Sequence, residues 1–258
     1  AAPLPLRVMY LYGHARALAS AGQMERAQIW ANEAESLARE IGDHAGLSNA
    51  LGSRGQIALA TGRADEAERD FEASYAAAVA SGDAALMGWA LFCRAQSARV
   101  RGELERAVAL LEEGIALASA ESNAWTQAVY TTLLGQIEHQ RGRHVAALAR
   151  YRAALPRFGA FHSPNFSAWC LEGMAAALVA LGQHARATLL LAAAAALRHE
   201  ARMPLPPAER AAAEHVSAAA RAALGEDAWN AAHAAGAALT LEAAIADALA
   251  NATIDPSG

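Results

Sequence analysis

Apolar and polar positions along the chain follow a pattern that returns every 40 residues. Four of the five units have a leucine eleven positions before a glycine, and the remaining unit has Thr131 there. The apolar positions in each unit have the spacing of one face of a helix. The repeating glycines are Gly22, Gly62, Gly102, Gly142 and Gly182. Because glycine adopts positive φ without strain, each is predicted to form a tight turn between two helices.

Small residues stand at two further fixed positions of every unit. Seven before the glycine are Ala15, Gly55, Ala95, Gly135 and Ala175, and five after it are Ala27, Ala67, Ala107, Ala147 and Ala187. Small side chains are needed where two helices approach closely. Turn residues recur twenty positions after the glycines, at Gly42-Asp43, Gly82-Asp83, Ser122-Asn123 and His162-Ser163. The sequence therefore predicts five helical hairpins in series.

This order of small residue, glycine and alanine resembles the tetratricopeptide repeat over about residues 6–199. The resemblance implies an all-α fold, a right-handed superhelical solenoid of about five hairpins. In repeats of this kind the first helix of each hairpin lines the concave groove. The position six before the glycine then points into that groove.

The period breaks after Arg198, where the run from Met203 to Pro207 cannot continue a helix. Three capping helices are predicted within 200–251, at about 207–224, 227–236 and 240–250, followed by a linker at 252–258. The sequence around Pro204, Leu224 and Gly236 resembles the end of the helical region of large ATP-binding bacterial regulators of the LuxR and MalT type.

In that family an ATP-binding switch domain precedes the repeats and a helix-turn-helix domain usually follows them. Some relatives with a similar tail carry cyclase or kinase modules instead. This sequence contains no GxxxxGKS/T phosphate loop. The resemblance therefore implies a sensor arm, cut from a longer protein, that binds an effector or a protein partner.

Composition narrows the class of partner. The chain has 258 residues, 55% of them hydrophobic, so it can bury a substantial core. Its net charge is −5 and all 21 of its basic residues are arginine, which argues against direct contact with nucleic acid. Cys93 and Cys170 form no CxxC motif, and we expect a cytoplasmic protein. No apolar run reaches the roughly 20 residues that span a bilayer, so no membrane contact is expected.

Motifs for catalysis or cofactor binding do not occur in the sequence. There is no HExxH, no GxSxG and no glycine-rich phosphate loop, so we predict no enzyme, no catalytic residues and no cofactor. His139 and His144 flank Gly142 without a carboxylate or thiolate at ligand spacing, and no metal site is predicted.

The groove positions are the candidate binding site. The row six before the glycine is Arg16, Gln56, Gln96, Gln136 and Ala176, and the neighbouring groove residues are Tyr12, Asn49, Trp89, Phe92, Arg99, His139 and Trp169. Glutamine offers donors and acceptors to a peptide backbone or a polar effector, and aromatic residues beside arginine dominate binding hot spots. The alternative is that Gln and Arg are merely solvated while Trp89 and Trp169 pack between repeats.

A second row departs from the repeat pattern. Eight before the glycine, where leucine is usual, stand His14, Arg54 and Arg94. Half-buried cations need partners. Glu66, Glu68, Asp70 or Glu105 would supply carboxylates within the fold, or the row would bind an anionic ligand.

Together these observations predict a non-catalytic sensor module of a bacterial transcriptional regulator, which binds a protein, a peptide or a small effector in its groove. Two alternatives remain at this point. One is a structural spacer that forms a homodimer through the Ala-rich faces near 187–220. The other is a stand-alone tetratricopeptide adaptor.

Overall fold

A computed structural model describes residues 3–120, 123–205 and 207–250. The predicted linker 252–258 lies outside these residues, as does Ser122 of the third return turn. The described residues form thirteen α-helices and no strand. They are α1 Leu4–Ser20, α2 Met24–Ile41, α3 His44–Ala60, α4 Ala64–Ser81, α5 Ala84–Val100, α6 Leu104–Ala120, α7 Ala124–Gln140, α8 His144–Ala160, α9 Pro164–Ala180, α10 His184–Glu200, α11 Pro207–Leu224, α12 Glu226–Ala237 and α13 Leu241–Ala250.

The fold is an all-helical repeat solenoid, as the 40-residue period predicts. All five repeating glycines have positive φ, between 73° and 79°. The return turns share this feature, with φ of 69° at Gly42 and 71° at Gly82. The same position is taken by His162 at 47° and Arg202 at 54°. The left-handed turn residue therefore recurs with the repeat as far as Arg202. It does so at His162 and Arg202 even though a left-handed backbone disfavours residues with a Cβ.

Contacts divide the chain into two compact units, of which the first ends at Asn123 and the second begins at Ala124. The first unit contains three hairpins, α1 with α2, α3 with α4 and α5 with α6. Its core includes Leu51, Phe71, Leu91 and Leu111, which are almost fully buried. At the α3–α4 crossing, a Cβ on Gly55 would lie 2.7 Å from Cδ1 of Phe71. The prediction that small residues mark close helix approaches is confirmed there.

The second unit contains the hairpins α7 with α8 and α9 with α10, and the last three helices pack on them. Gly135 and Gly173 both lie against the buried ring of Tyr151, since a Cβ on either would be less than 3.0 Å from it. Helix α12 packs along α10, and α13 contacts α8, α9 and α10. The three capping helices agree with the sequence prediction to within one residue at each end.

Arg186 attaches the last helix to this unit. Its Nη2 donates to the backbone carbonyls of Asp247 at 3.1 Å and Ala248 at 3.3 Å. These carbonyls lie in the last turn of α13, where helical carbonyls have no partner within their own helix. Ile245 fits over Gly159 on α8, where a Cβ would lie 2.7 Å from Cδ1 of Ile245.

Candidate functional site

The first helices of the three hairpins in unit 1 form one continuous surface, because α1 packs on α3 and α3 packs on α5. We call the surface formed by α1, α3 and α5 the first-helix face. On this face the guanidinium carbon of Arg16, from α1, lies 5.7 Å from the centroid of the Trp89 ring, from α5. The separation is within the range of a cation–π interaction. The side chains of Arg16 and Trp89 thus meet across the intervening helix α3.

The Trp89 ring lies beside Gly52 on α3. A Cβ on Gly52 would lie 3.7 Å from Nε1 of Trp89, in ordinary van der Waals contact. The Trp89 ring also stacks on Phe92 at a centroid distance of 5.5 Å and an angle of 22°. Phe92 is buried and Trp89 is half-buried. The indole therefore packs between repeats in part, as the alternative interpretation expects, while its remaining surface stays open.

Gln56 adds a polar contact beside this pair. Its Nε2 donates to Sγ of Cys93 at 3.8 Å, so the amide of α3 is tied to α5. Burial raises the pKa of the Cys93 thiol to about 12, against smaller lowering effects of Gln56 and Arg16. The thiol is protonated at neutral pH, and it acts as a hydrogen-bond acceptor rather than as a nucleophile.

The other predicted groove residues of unit 1 differ in their surroundings. Tyr12 packs against the core around Leu11, and Asn49 donates to the carbonyl of Ala45 at 3.1 Å. Gln96 and Arg99 are half-buried on α5. Gln136, Trp169 and Ala176 belong to unit 2 and are half-buried there.

The row of His14, Arg54 and Arg94 does not share one environment. Arg54 donates through Nε to Oδ2 of Asp70 at 2.8 Å, and it also pairs with Glu35. The hydrogen bond to Asp70 is the main reason that the pKa of Arg54 is raised. Arg94 lies 3.9 Å from Glu68 and 3.5 Å from Glu72. Two of the expected carboxylates, Asp70 and Glu68, are thus confirmed as partners, whereas Glu35 and Glu72 were missed.

His14 contacts aromatic rings instead of carboxylates. Its ring stacks on Tyr10 at 5.7 Å and meets Trp30 edge-on at 4.5 Å. Both arginines of the row are therefore charge-compensated within the fold, while the histidine belongs to an aromatic cluster. This arrangement supports the structural interpretation of the row over the anion-binding one.

In unit 2, the turn between α7 and α8 brings two histidines together. Nδ1 of His139 and Nδ1 of His144 are 3.1 Å apart, with ring centroids at 4.8 Å. Burial, and secondarily the neighbouring His144, lower the pKa of His139. Among the described residues no group of three or more His, Cys, Asp or Glu side chains is placed to hold a metal ion.

Acidification is expected to destabilise the protein through this histidine pair. Because the folded-state pKa of His139 is lowered, the unfolded chain binds the proton at higher pH, and stability falls as pH drops below about 6.5. His144→Gln removes one of the two causes, so the variant should lose less stability between pH 7 and pH 5. Urea unfolding at both pH values measures this, with His44→Gln at an exposed position as the control. An equal loss in the His144→Gln variant and the wild type would contradict the coupling.

No helix in the described parts of the chain is long and apolar enough to cross a membrane. The Ala-rich stretch that the sequence proposes as a dimer surface is covered only in part within unit 2, because Ala211, Ala212 and Ala218 on α11 are exposed. Ala187, Ala193, Ala194 and Ala220 are buried there. The sequence pattern could not reveal this, because the covering helix α12 follows no repeat spacing.

No protein-family model matches the chain, and no curated protein matches it either. Solved structures do match. BtubC (BKLC) from P. vanneervenii is 17% identical with a TM-score of 0.56, and the match covers 80% of this chain and 95% of that one. A putative kinesin light chain with nearly identical TPR-like repeats, from Podosopora anserina, is 16% identical with a TM-score of 0.57, covering 79% and 100%.

Aspartyl phosphate phosphatase F from Bacillus subtilis is 14% identical with a TM-score of 0.59. That match covers 84% of this chain and 61% of the phosphatase. At these identities the likeness concerns the fold alone. That fold is a helical repeat of the tetratricopeptide type.

Proposed function

We propose that this chain is a non-catalytic interaction module, which binds a protein segment on the first-helix face of unit 1. The observation that carries the proposal is the convergence of Arg16, Gln56 and Trp89 from three helices at one place on that face. Within the described part of the chain, the indole N–H of Trp89 has no hydrogen-bond partner. An aromatic ring with a free donor beside an arginine is the type of surface that anchors a partner.

The wider context is also proposed. The tail resembles that of LuxR- and MalT-type regulators, so we place the module in a bacterial transcriptional regulator in the cytoplasm, as a repeat array over 6–199 with capping helices over 200–251. A small effector in the same groove remains the alternative ligand. Gln136 and His139 of unit 2 stay candidate groove residues, and the row of His14, Arg54 and Arg94 is assigned to stability.

The test is selection of peptide ligands from a random displayed library on the immobilised protein. Peptides that bind the first-helix face should lose at least tenfold in affinity with Trp89→Ala, because the variant removes the anchor ring and its donor. Trp229→Ala is the matched control, since Trp229 also lies against an arginine, Arg221, at 4.7 Å, but in unit 2. Failure to obtain any ligand sensitive to Trp89→Ala would overturn the proposal.

A further inference from the structure

We infer that the segment bound on the first-helix face is acidic, and that it places a carboxylate on Arg16 beside Trp89. This inference rests on the proposed function and specifies the chemistry of the partner. Its basis is the separation of charge between the two kinds of helix in unit 1.

The three helices of the face contain no aspartate and no glutamate. Helices α1, α3 and α5 carry five arginines, Arg7, Arg16, Arg54, Arg94 and Arg99. The acidic residues of the described part of unit 1 all lie on α2, α4 and α6 or in the turns. The chain as a whole is acidic, with a net charge of −5. Because these three helices carry no carboxylate of their own, any arginine on them without a partner from a second helix attracts negative charge locally.

Most of this positive charge is already compensated from the second helices. Arg7 pairs with Glu33 of α2 at 2.8 Å. Arg54 pairs with Glu35 and Asp70, and Arg94 lies near Glu68 and Glu72. Arg54 and Arg94 thereby help to hold the helices together, whereas the Arg7–Glu33 pair is exposed to solvent on both sides.

Arg16 differs from these three arginines. It is exposed, and no carboxylate of the described residues lies within 4 Å of it. Its guanidinium lies over the face of the Trp89 ring. Its positive charge is also near enough to the Cys93 thiol on α5 to lower the pKa of that thiol, against the larger effect of burial. The N–H groups of the Arg16 guanidinium are therefore free to bind an anion while the Trp89 ring holds the guanidinium in place.

The donors around Arg16 fit a carboxylate on a peptide. A guanidinium binds a carboxylate through two parallel hydrogen bonds. The indole N–H of Trp89 supplies another donor at the same place, and the half-buried amide of Gln96 on α5 offers both a donor and an acceptor to a peptide backbone. A nucleic acid would need a track of several uncompensated cations along its phosphates, which this face lacks. We therefore assign the ligand as an acidic segment of a protein.

Acidic second helices would also restrict where such a segment binds. Helix α4 alone carries Asp65, Glu66, Glu68, Asp70 and Glu72. An acidic peptide is repelled from surfaces with excess carboxylate and is attracted to the face whose own helices carry none. The same charge separation thus adds specificity for the first-helix face.

The experiment uses the peptides selected on the wild-type protein. Those sensitive to Trp89→Ala should be enriched in Asp and Glu relative to the input library. Arg16→Gln should weaken them at least tenfold, and Arg16→Lys should restore part of that loss. Arg26→Gln removes the same charge from the exposed surface of α2 and should have no effect. Circular dichroism of each variant verifies that it is folded.

The outcomes separate the two proposals. Ligands that depend on Trp89 but show no acidic enrichment, or that bind equally to Arg16→Gln, would overturn the acidic assignment and leave the binding face intact. Absence of Trp89-dependent ligands would overturn the proposed function and this inference with it. Acidic ligands weakened equally by Arg16→Gln and Arg26→Gln would show attraction to the overall charge of the protein rather than binding at Arg16. That result would also overturn the acidic assignment.

Discussion

Replacing Gly236 with alanine is expected to lower the free energy of unfolding by about 3 kcal/mol, the upper part of the range for overpacking. Gly236 is buried on α12, where that helix meets α10. A Cβ there would lie 2.8 Å from the carbonyl carbon of Leu189 and 2.9 Å from its Cα, and closer still to its carbonyl oxygen. These are backbone atoms of a helix, so they cannot rotate away. Helix α12 would have to move off α10, with loss of its packing.

The matched control is Gly13→Ala. Gly13 lies inside α1, and a Cβ there meets no atom within 4 Å. Alanine at an unhindered helical position should stabilise by about 0.5–1 kcal/mol. Thermal and urea unfolding of the two variants should therefore move in opposite directions. Similar stability of Gly236→Ala and the wild type would contradict the close approach of α12 to the backbone of α10.

Arg54→Ala is expected to cost about 2–3 kcal/mol, somewhat below the usual range for breaking a buried ion pair. Its partner Asp70 is only 3% exposed. Without the guanidinium, that carboxylate would stay buried with its charge uncompensated. The Arg54 side chain itself is 23% exposed, and solvent therefore offsets part of the effect. Urea unfolding at neutral pH measures the change.

Arg94→Ala serves as the comparison for Arg54→Ala. Its two carboxylates lie at 3.5 and 3.9 Å, and Glu72 is half exposed. The expected loss is about 1 kcal/mol, because longer and wetter ion pairs contribute little. Neither variant should alter the affinity of ligands that depend on Trp89. If either variant lost that affinity while keeping its stability, the row of His14, Arg54 and Arg94 would belong to the binding site.

The hairpins were predictable because each depends on local chemistry. A turn at Gly62 or Gly142 needs positive φ, and glycine provides it wherever the chain goes next. The close approach at Gly55 follows from a small residue that recurs at a fixed position. The helices of the tail could be delimited because Pro207 starts one and Thr240 precedes another.

For the candidate site, the sequence predicted which residues belong to it but not the contacts between them. Sequence spacing assigned Arg16, Gln56 and Trp89 to one surface, and the three residues lie on that surface. Sequence spacing did not predict that the side chain of Arg16 would reach across α3 to Trp89. That contact depends on the position of the Trp89 ring beside Gly52 of α3. The partners Glu35 and Glu72 were missed as well, because an ion pair between neighbouring helices depends on the rotation of each helix.

The sequence by itself determined the repeat, its turns and its all-helical class, because these arise from residues close together in the chain. Tertiary structure alone decided which cations are compensated and which remain available. Repeat position assigned Arg54 to the row of half-buried cations and Arg16 to the groove row, but it left open which side chain lies beside each. Packing places Asp70 beside one and the Trp89 ring beside the other. The physical reason is that charge compensation depends on distances of a few ångströms between helices, which no periodicity along the chain specifies.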